Sequence, residues 1–352
     1  MFKKISVTEL TPGMILAKPV RADDGKILLH ADCELKTSYI EKIIQHNCDY
    51  VYIKQSKPER AKEYLQIKSP PQHLKPIKDE TRTKAYAVLK KVFEQVETTG
   101  TFKPAETIKV VQEIVDHILK NPKIVYNMFN IQSYDDYTYS HSVNVCVLAT
   151  LIGSIMGYNQ NELEILGVGG MLHDIGKTVI EPSIINKPAK LDSNEFAIIQ
   201  SHPIAGYNLL IQTDQTGFLP AYIALQHHER EDSSGYPKNL SKNHIHPFSK
   251  IVAVADVFDS MTSNRVYRNA VQPYLALQEL KGKANIKYNL AVVENLMQIV
   301  TPYPIGTVLI LLDGEEVEVI NVSRTGITIK HSSGINKNYS HNNLPVVKEV
   351  SQ

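Results

Sequence analysis

The stretch MLHDIGK, Met171 to Lys177, sets a histidine, an aspartate and a lysine at the end of the apolar run LEILGVGG. A charged Asp174 closing a buried helix is costly unless a partner neutralises it. Similar polar groups recur in the neighbouring apolar segments: His141 in YTYSHSVNV, His202 in IIQSHPIAGY, His227 and His228 closing PAYIALQHH, and Asp256 inside IVAVADVFD. A lone histidine of this kind is ordinarily a hydrogen-bonded core residue. Together with His173 and Asp174 they make five histidines and two aspartates, and satisfying them separately would need a partner for every one. Metal ions satisfy them together. Neutral imidazole and carboxylate suit first-row metals such as iron or manganese, and Asp174 can bridge two ions. Seven side chains are too many for one ion, so two divalent cations are implied. Two cations about 3.5–4 Å apart can bind both sides of a phosphodiester and activate water between them.

These residues must be carried by helices. From about residue 80 to 300 apolar residues recur at three- and four-residue intervals, in KAYAVLKKVFEQVE, AETIKVVQEIVDHILK, HSVNVCVLATLIGSIMG, NELEILGVGGMLHD, NEFAIIQSHPIAGYNLL, PAYIALQHHERE, SKIVAVADVFDSMTS and YNLAVVENLMQIV. Asp192-Ser193-Asn194-Glu195 reads as one helix start, and Asn161 as the residue preceding another. Residues 1–65 alternate as short strands around one helix, TSYIEKIIQHN, with turns at Thr11-Pro12-Gly13 and Asp23-Asp24-Gly25. After Pro302, IGTVLILLDGEEVEVINVSRTGITIKH reads as strands joined at Asp313-Gly314 and Thr325-Gly326. The expected fold is therefore mostly α: an all-helical core over 131–300, a small α+β module over 1–65, a Lys- and Pro-rich linker with leading helices over 66–130, and a small β module over 301–352.

Composition narrows the function. The 352 residues are 43% hydrophobic and 21% charged with net charge +1, which gives no electrostatic footprint for a nucleic-acid polymer. The three cysteines, Cys33, Cys48 and Cys146, lack C-x-x-C spacing, which excludes a disulfide framework and a zinc ribbon and suits a reducing compartment. MFKKISVTEL has no apolar stretch behind its lysines, and the most apolar run, Val143–Gly157, is too short for a membrane span. No membrane insertion and a cytoplasmic location are the expectation. The remaining histidines, His30, His46, His73, His117, His244, His246, His331 and His341, read as surface or loop residues.

The ordered set of His141, His173-Asp174 with Gly176-Lys177, His202-Pro203, HHEREDSSGYP (His227–Pro237) and VADVFDSMTSNRVYR (Val254–Arg268) resembles the HD-GYP family, a subclass of the HD-domain phosphohydrolases that hydrolyses cyclic di-GMP. The likeness runs from about Tyr134 to Arg268 and rests on several motifs in order. It implies an HD-domain fold, cyclic di-GMP as substrate and pGpG as first product. It also implies that His141, His173, Asp174 and Asp256 surround one metal while His202, His227 and His228 hold the other, with Asp174 between. Lys177 would assist beside Asp174 at the scissile phosphate. Tyr236 would meet a guanine base or a phosphate, and Arg265 and Arg268 the ligand's phosphates, where guanidinium suits bidentate contact.

Some relatives hold a third metal through a glutamate four residues before the first histidine. Tyr137 stands there, with Asp135 and Asp136 out of step, so two metals are expected. Ser233 replaces a common glycine before S-G-Y-P, which matters if that position needs positive φ. Val266 stands where a proline is frequent. Two other readings stay open: an HD enzyme for another cyclic dinucleotide or nucleotide, and a module that binds the dinucleotide without cleaving it. The flanking modules could serve a homodimer or a signalling partner.

Overall fold

The structure is a computed structural model that describes residues 2–7, 10, 14–21, 27–29, 33, 35, 37–46, 48, 50–54, 77–121, 137–185, 187, 189, 191–263, 270–300, 303, 305–323, 326–339 and 346–349. The expected turns at 11–13 and 23–25, the polar linker at 55–76, and the Arg265, Val266 and Arg268 positions lie outside these residues. The chain divides into two compact units, Met1–Ile67 with Gln352, and Lys68–Ser351.

In the first unit β1 (Phe2–Ser6) pairs antiparallel with β4 (Tyr50–Lys54), and β2 (Val20–Arg21) with β3 (Ile27–Leu29). The helix α1 (Thr37–Gln45) supplies Ile43 to a core shared with Leu16, Leu35, Val51 and Ile53.

The second unit begins with α2 (Asp79–Thr99) and α3 (Ala105–Lys120). There follow α4 (Tyr137–Ile155), α5 (Gln160–Leu172), a 3-10 turn at Ile175–Val179, and α6 (Pro182–Ile185). Next come α7 (Ser193–Ile199), α8 (His202–Gln212), α9 (Phe218–Gln226), α10 (Pro247–Thr262), α11 (Pro273–Lys283) and α12 (Leu290–Ile299). One continuous core joins them, with Leu89, Ile114, Leu148, Ile152, Leu166, Ile223, Val254, Phe258 and Leu296 among its buried members. Helix α4 is apolar on all sides and buried over most of its length, as a central helix must be. Helix α5 lies against it. The glycines of its Gly167–Gly170 run remove side chains there, so Val111 of α3, Cys146 of α4 and Ile223 of α9 approach the α5 backbone directly. Arg82 of α2, itself buried, donates to Asn144 Oδ1 of α4 at 2.5 Å and ties the leading helices to the same core.

Capping places the helices that carry the site. Asp192 accepts from Asn194 N and Glu195 N at 2.8 and 2.9 Å while Glu195 returns a bond to Asp192 N, a capping box that starts α7. Asn159, not Asn161, starts α5 by the same device with Glu162; Asn161 lies inside the helix. NEFAIIQSHPIAGYNLL is two helices rather than one. The chain breaks at Gln200-Ser201, because Pro203 lacks an N–H and is accommodated in the first turn of a new helix. Helix α11, which the periodicity reading passed over, begins at Pro273 in the same way.

After α12 a five-stranded antiparallel sheet forms in the order β8 (Asn336–Tyr339), β7 (Gly326–Lys330), β6 (Glu316–Ser323), β5 (Val308–Leu311), β9 (Val346–Glu349). Alternate residues Leu309, Leu311, Val317, Val319, Ile327 and Ile329 build its buried face. His331 corrects a sequence expectation. It is buried, with Nδ1 2.7 Å from Oε2 of Glu315 in the β5–β6 turn. The core is helical with small antiparallel sheets at either end, as expected. Among the described residues no helix is long and apolar enough to cross a membrane.

Candidate metal centre

The seven candidate ligands come from five helices or helix ends and converge. His141 lies in the second turn of α4, His173 and Asp174 follow the last turn of α5, and His202 opens α8. His227 and His228 follow α9, and Asp256 lies within α10. Two sets of donor atoms gather: Asp174, His202, His227 and His228 in one, His141, His173 and Asp256 in the other. Asp174 joins them. Its Oδ1 is 3.3 Å from His202 Nε2 and 3.8 Å from His227 Nε2, while its Oδ2 is 3.4 Å from His173 Nε2 and 3.9 Å from His141 Nε2. Asp256 also faces both sets, with Oδ1 3.2 Å from His141 Nε2 and Oδ2 3.9 Å from His228 Nδ1.

A glycine makes the convergence possible. A Cβ on Gly176 would lie 2.0 Å from the His202 carbonyl oxygen and 2.4 Å from Gly206 N. Only glycine lets the turn after Asp174 sit against the start of α8, and that contact brings His202 to Asp174.

The ring orientations are set from behind. His173 Nδ1 donates to Gly170 O at 2.8 Å, His202 Nδ1 to Ile199 O at 2.7 Å, and His227 Nδ1 to Ala224 O at 2.8 Å. A nitrogen facing a carbonyl must carry the proton, so each of these rings presents an Nε2 lone pair to the centre. His202 Nε2 and His227 Nε2 then face each other at 3.2 Å as two acceptors. His173 Nε2 and Asp174 Oδ1 are buried without a hydrogen-bond partner. Orphaned acceptors clustered in a dry interior are costly unless a cation occupies the space between them. The donor set of imidazole nitrogens and carboxylate oxygens fits a divalent transition metal.

Charge follows the same geometry. Burial works against the Asp174 carboxylate, but Lys177 and the surrounding imidazoles hold it well below the usual range. Asp256 is likewise held low against its burial, by His141 first. Burial pushes His227 and His228 well below the usual imidazole value, which keeps them neutral and available as donors. His141 is the exception: against its burial, hydrogen bonds to Asp256 and Asp259 raise it to about 9.

One side of the cluster is open. His141, His173, His202 and His227 form a buried floor, whereas the Lys177 side chain is 28% exposed and that of His228 18%. Lys177 Nζ lies 2.5 Å from Asp174 Oδ2. Tyr236 stacks on His228, with ring centroids 4.6 Å apart and planes at 28°, and burial raises its phenol well above the usual value. The loop carrying Tyr236 is held by Glu229, a buried residue that the sequence reading passed over. Its carboxylate accepts from Lys238 N at 2.7 Å and Leu240 N at 2.8 Å. Gly235 is required there, since a Cβ would lie 2.4 Å from both Arg230 N and His228 O. Ser233 adopts φ 61°, so the position that commonly holds glycine does take the left-handed conformation, here with serine. Asp259 is the other residue not singled out; it is wholly buried with Oδ2 2.7 Å from His141 Nδ1. Its signal in the sequence is its place three residues after Asp256, on the same helix face. Tyr137 opens α4 four residues before His141.

Residues 125–292 match the HD domain family. A curated cyclic di-GMP phosphodiesterase of Pseudomonas aeruginosa is 31% identical over 235 residues, 66% of this chain and 56% of that protein. A 3'3'-cGAMP-specific phosphodiesterase of Vibrio cholerae is 30% identical over 194 residues, 54% of this chain and 37% of that protein. The chain thus spans about half or less of these two relatives. Among solved structures, an HDG"Y"P protein from Bdellovibrio bacteriovorus superposes with TM-score 0.51 at 18% identity, covering 84% of this chain and 98% of that one, a likeness of fold.

Proposed function

We propose, from the match of residues 125–292 to the HD domain family, that this chain is a metal-dependent phosphodiesterase that opens cyclic di-GMP to pGpG. The observation that carries this reading is Asp174, one carboxylate whose two oxygens face two separate groups of imidazoles. In this proposal His141, His173 and Asp256 would hold one divalent cation and His202, His227 and His228 the second, with Asp174 shared between them, and iron or manganese would suit each. When bound, such a pair supplies Lewis-acid stabilisation of phosphoryl charge and lowers the pKa of water towards about 7.

The chain's own residues bind and orient the ester. In this reading the ester approaches from the side of the partly exposed Lys177 and His228 and of Tyr236, opposite the buried histidines. Lys177 Nζ, partly exposed beside Asp174, is the proposed acid for the leaving 3'-oxygen. Tyr236 lies flat on His228, which positions it to stack a base or donate its phenolic proton to a phosphate oxygen. Arg265 and Arg268 are the proposed clamp for the second phosphate.

The names of the relatives favour cyclic dinucleotides and divide between cyclic di-GMP and 3'3'-cGAMP, so the guanine-adenine dinucleotide is the second reading. The test is turnover of cyclic di-GMP, 3'3'-cGAMP and cyclic di-AMP by anaerobically purified protein, with and without a chelator, read by chromatography. Chelator-sensitive formation of pGpG is expected. Binding of cyclic di-GMP without cleavage by metal-loaded protein overturns the hydrolase reading in favour of a binding module.

A further inference from the structure

Four histidines of the cluster have their Nδ1 atoms fixed by a partner, and one of them is held differently from the rest. His173 and His227 are the residues that end α5 and α9, and His202 follows the end of α7. The carbonyls three residues before each, Gly170, Ile199 and Ala224, belong to final helical turns, where the last carbonyls have no ladder partner and can accept from the ring. His141 has no such provision. It lies inside α4, where the carbonyl three residues back is committed to the helical ladder. Its Nδ1 is met instead by the Asp259 carboxylate from α10, at 2.7 Å. Asp259 is 0% exposed, also receives Ser263 Oγ at 3.3 Å, and leaves Oδ1 without a partner. A buried carboxylate with one oxygen unpaired is expensive in a stable core. Asp256, one turn earlier on the same helix, already faces His141 Nε2 at 3.2 Å, so Asp259 is not needed to fill the cluster itself.

We propose that Asp259 is a positioning residue that keeps a proton on His141 Nδ1 when a cation takes the place of the proton that Nε2 shares with Asp256, so that the Nε2 lone pair faces the centre, and that it thereby governs only the half of the cluster formed by His141, His173 and Asp256. A carboxylate is an acceptor alone, so it tolerates one ring tautomer; it also makes the imidazole a stronger donor than a neutral carbonyl does. The other three rings need no such residue because their own helix ends supply the acceptor. This inference rests on the proposed metal centre.

The test is calorimetric titration of the chelator-stripped 352-residue chain with Mn2+, native against Asp259→Asn. The asparagine is nearly isosteric, yet its amide can donate to Nδ1 and turn the Nε2 proton inward. Two binding events are expected for the native chain, and in the variant one of them weakened about 10–100-fold with the other unchanged. Equal affinities in the two proteins, or equal weakening of both events, overturn the proposal while leaving the metal centre standing. A native chain that binds no Mn2+ sinks the metal centre and this proposal with it. Should the variant fail to fold, nitrogen NMR of the native chain loaded with diamagnetic Zn2+ decides. A proton on His141 Nδ1 is expected, and a proton on Nε2 overturns the assignment.

Discussion

At the scale of single residues, Asp174 serves two groups of imidazoles through one carboxylate, so its loss has two consequences that can be read separately. Asp174→Ala is expected to lower hydrolysis of cyclic di-GMP by about 10²-fold or more, since the charge stabilisation at stake amounts to several kcal/mol. It is also expected to lower the metal content per chain, measured by elemental analysis of anaerobically purified protein. A variant retaining both metals and full turnover would contradict the bridging role. Lys177 contrasts with it, its side chain being 28% exposed and in contact with the Oδ2 oxygen. Residue type and apolar context were enough to name Asp174, whereas Lys177 was named through the family resemblance. They could not assign the roles of Asp259 and Glu229, because a buried carboxylate beside a histidine ring and one beside two backbone amides look alike in sequence until their partners are known.

At the scale of elements, the site depends on how closely helix ends approach. Gly176→Ala would press a methyl group against the His202 carbonyl and the Gly206 amide, which are backbone atoms that cannot rotate away. The cost expected from such overpacking is about 1–3 kcal/mol, seen as a lower denaturation midpoint with weaker metal binding. An unchanged midpoint would show that α8 does not bear on this turn. The β5–β6 turn offers a pH test. Hydrogen bonds from Ser332 and His331 lower Glu315 from the usual 4.5 to about 2. A depressed carboxyl stabilises the fold above its unfolded pKa and loses that contribution as pH falls through the folded value. Native protein should therefore lose stability between about pH 4.5 and 2 more steeply than Glu315→Gln, followed by strand circular dichroism in acid titration. Coincident curves would remove Glu315 from the acid response. The turn also shows what local reading misses. His331 follows a strand in a polar sequence and reads as exposed, but antiparallel pairing folds it back against Glu315.

At the scale of the whole molecule, five helices or helix ends contribute donors to one cluster, so occupancy and global stability are linked. A ligand that binds only the folded state adds about 2.7 kcal/mol at a hundred times its Kd. Chelation should accordingly lower the Tm of the helical unit, and restoring Mn2+ should recover it, both followed by scanning calorimetry. A Tm indifferent to chelator and to Mn2+ would mean that no cation bridges these helices.

Periodicity alone was enough to recognise the helical core and the flanking sheets, because amphipathic spacing and turn residues act over a few positions. It also made candidates of His141, His173, Asp174, His202, His227, His228 and Asp256, each a polar group in an apolar setting. Only the tertiary structure decided that the two oxygens of Asp174 face different sets of rings, that Ser233 takes the left-handed conformation, and that His141 draws its acceptor from α10. Those facts join residues as far as 118 positions apart in the chain. Such pairings arise from close packing of helices, and packing leaves no periodic trace in the order of the residues it brings together.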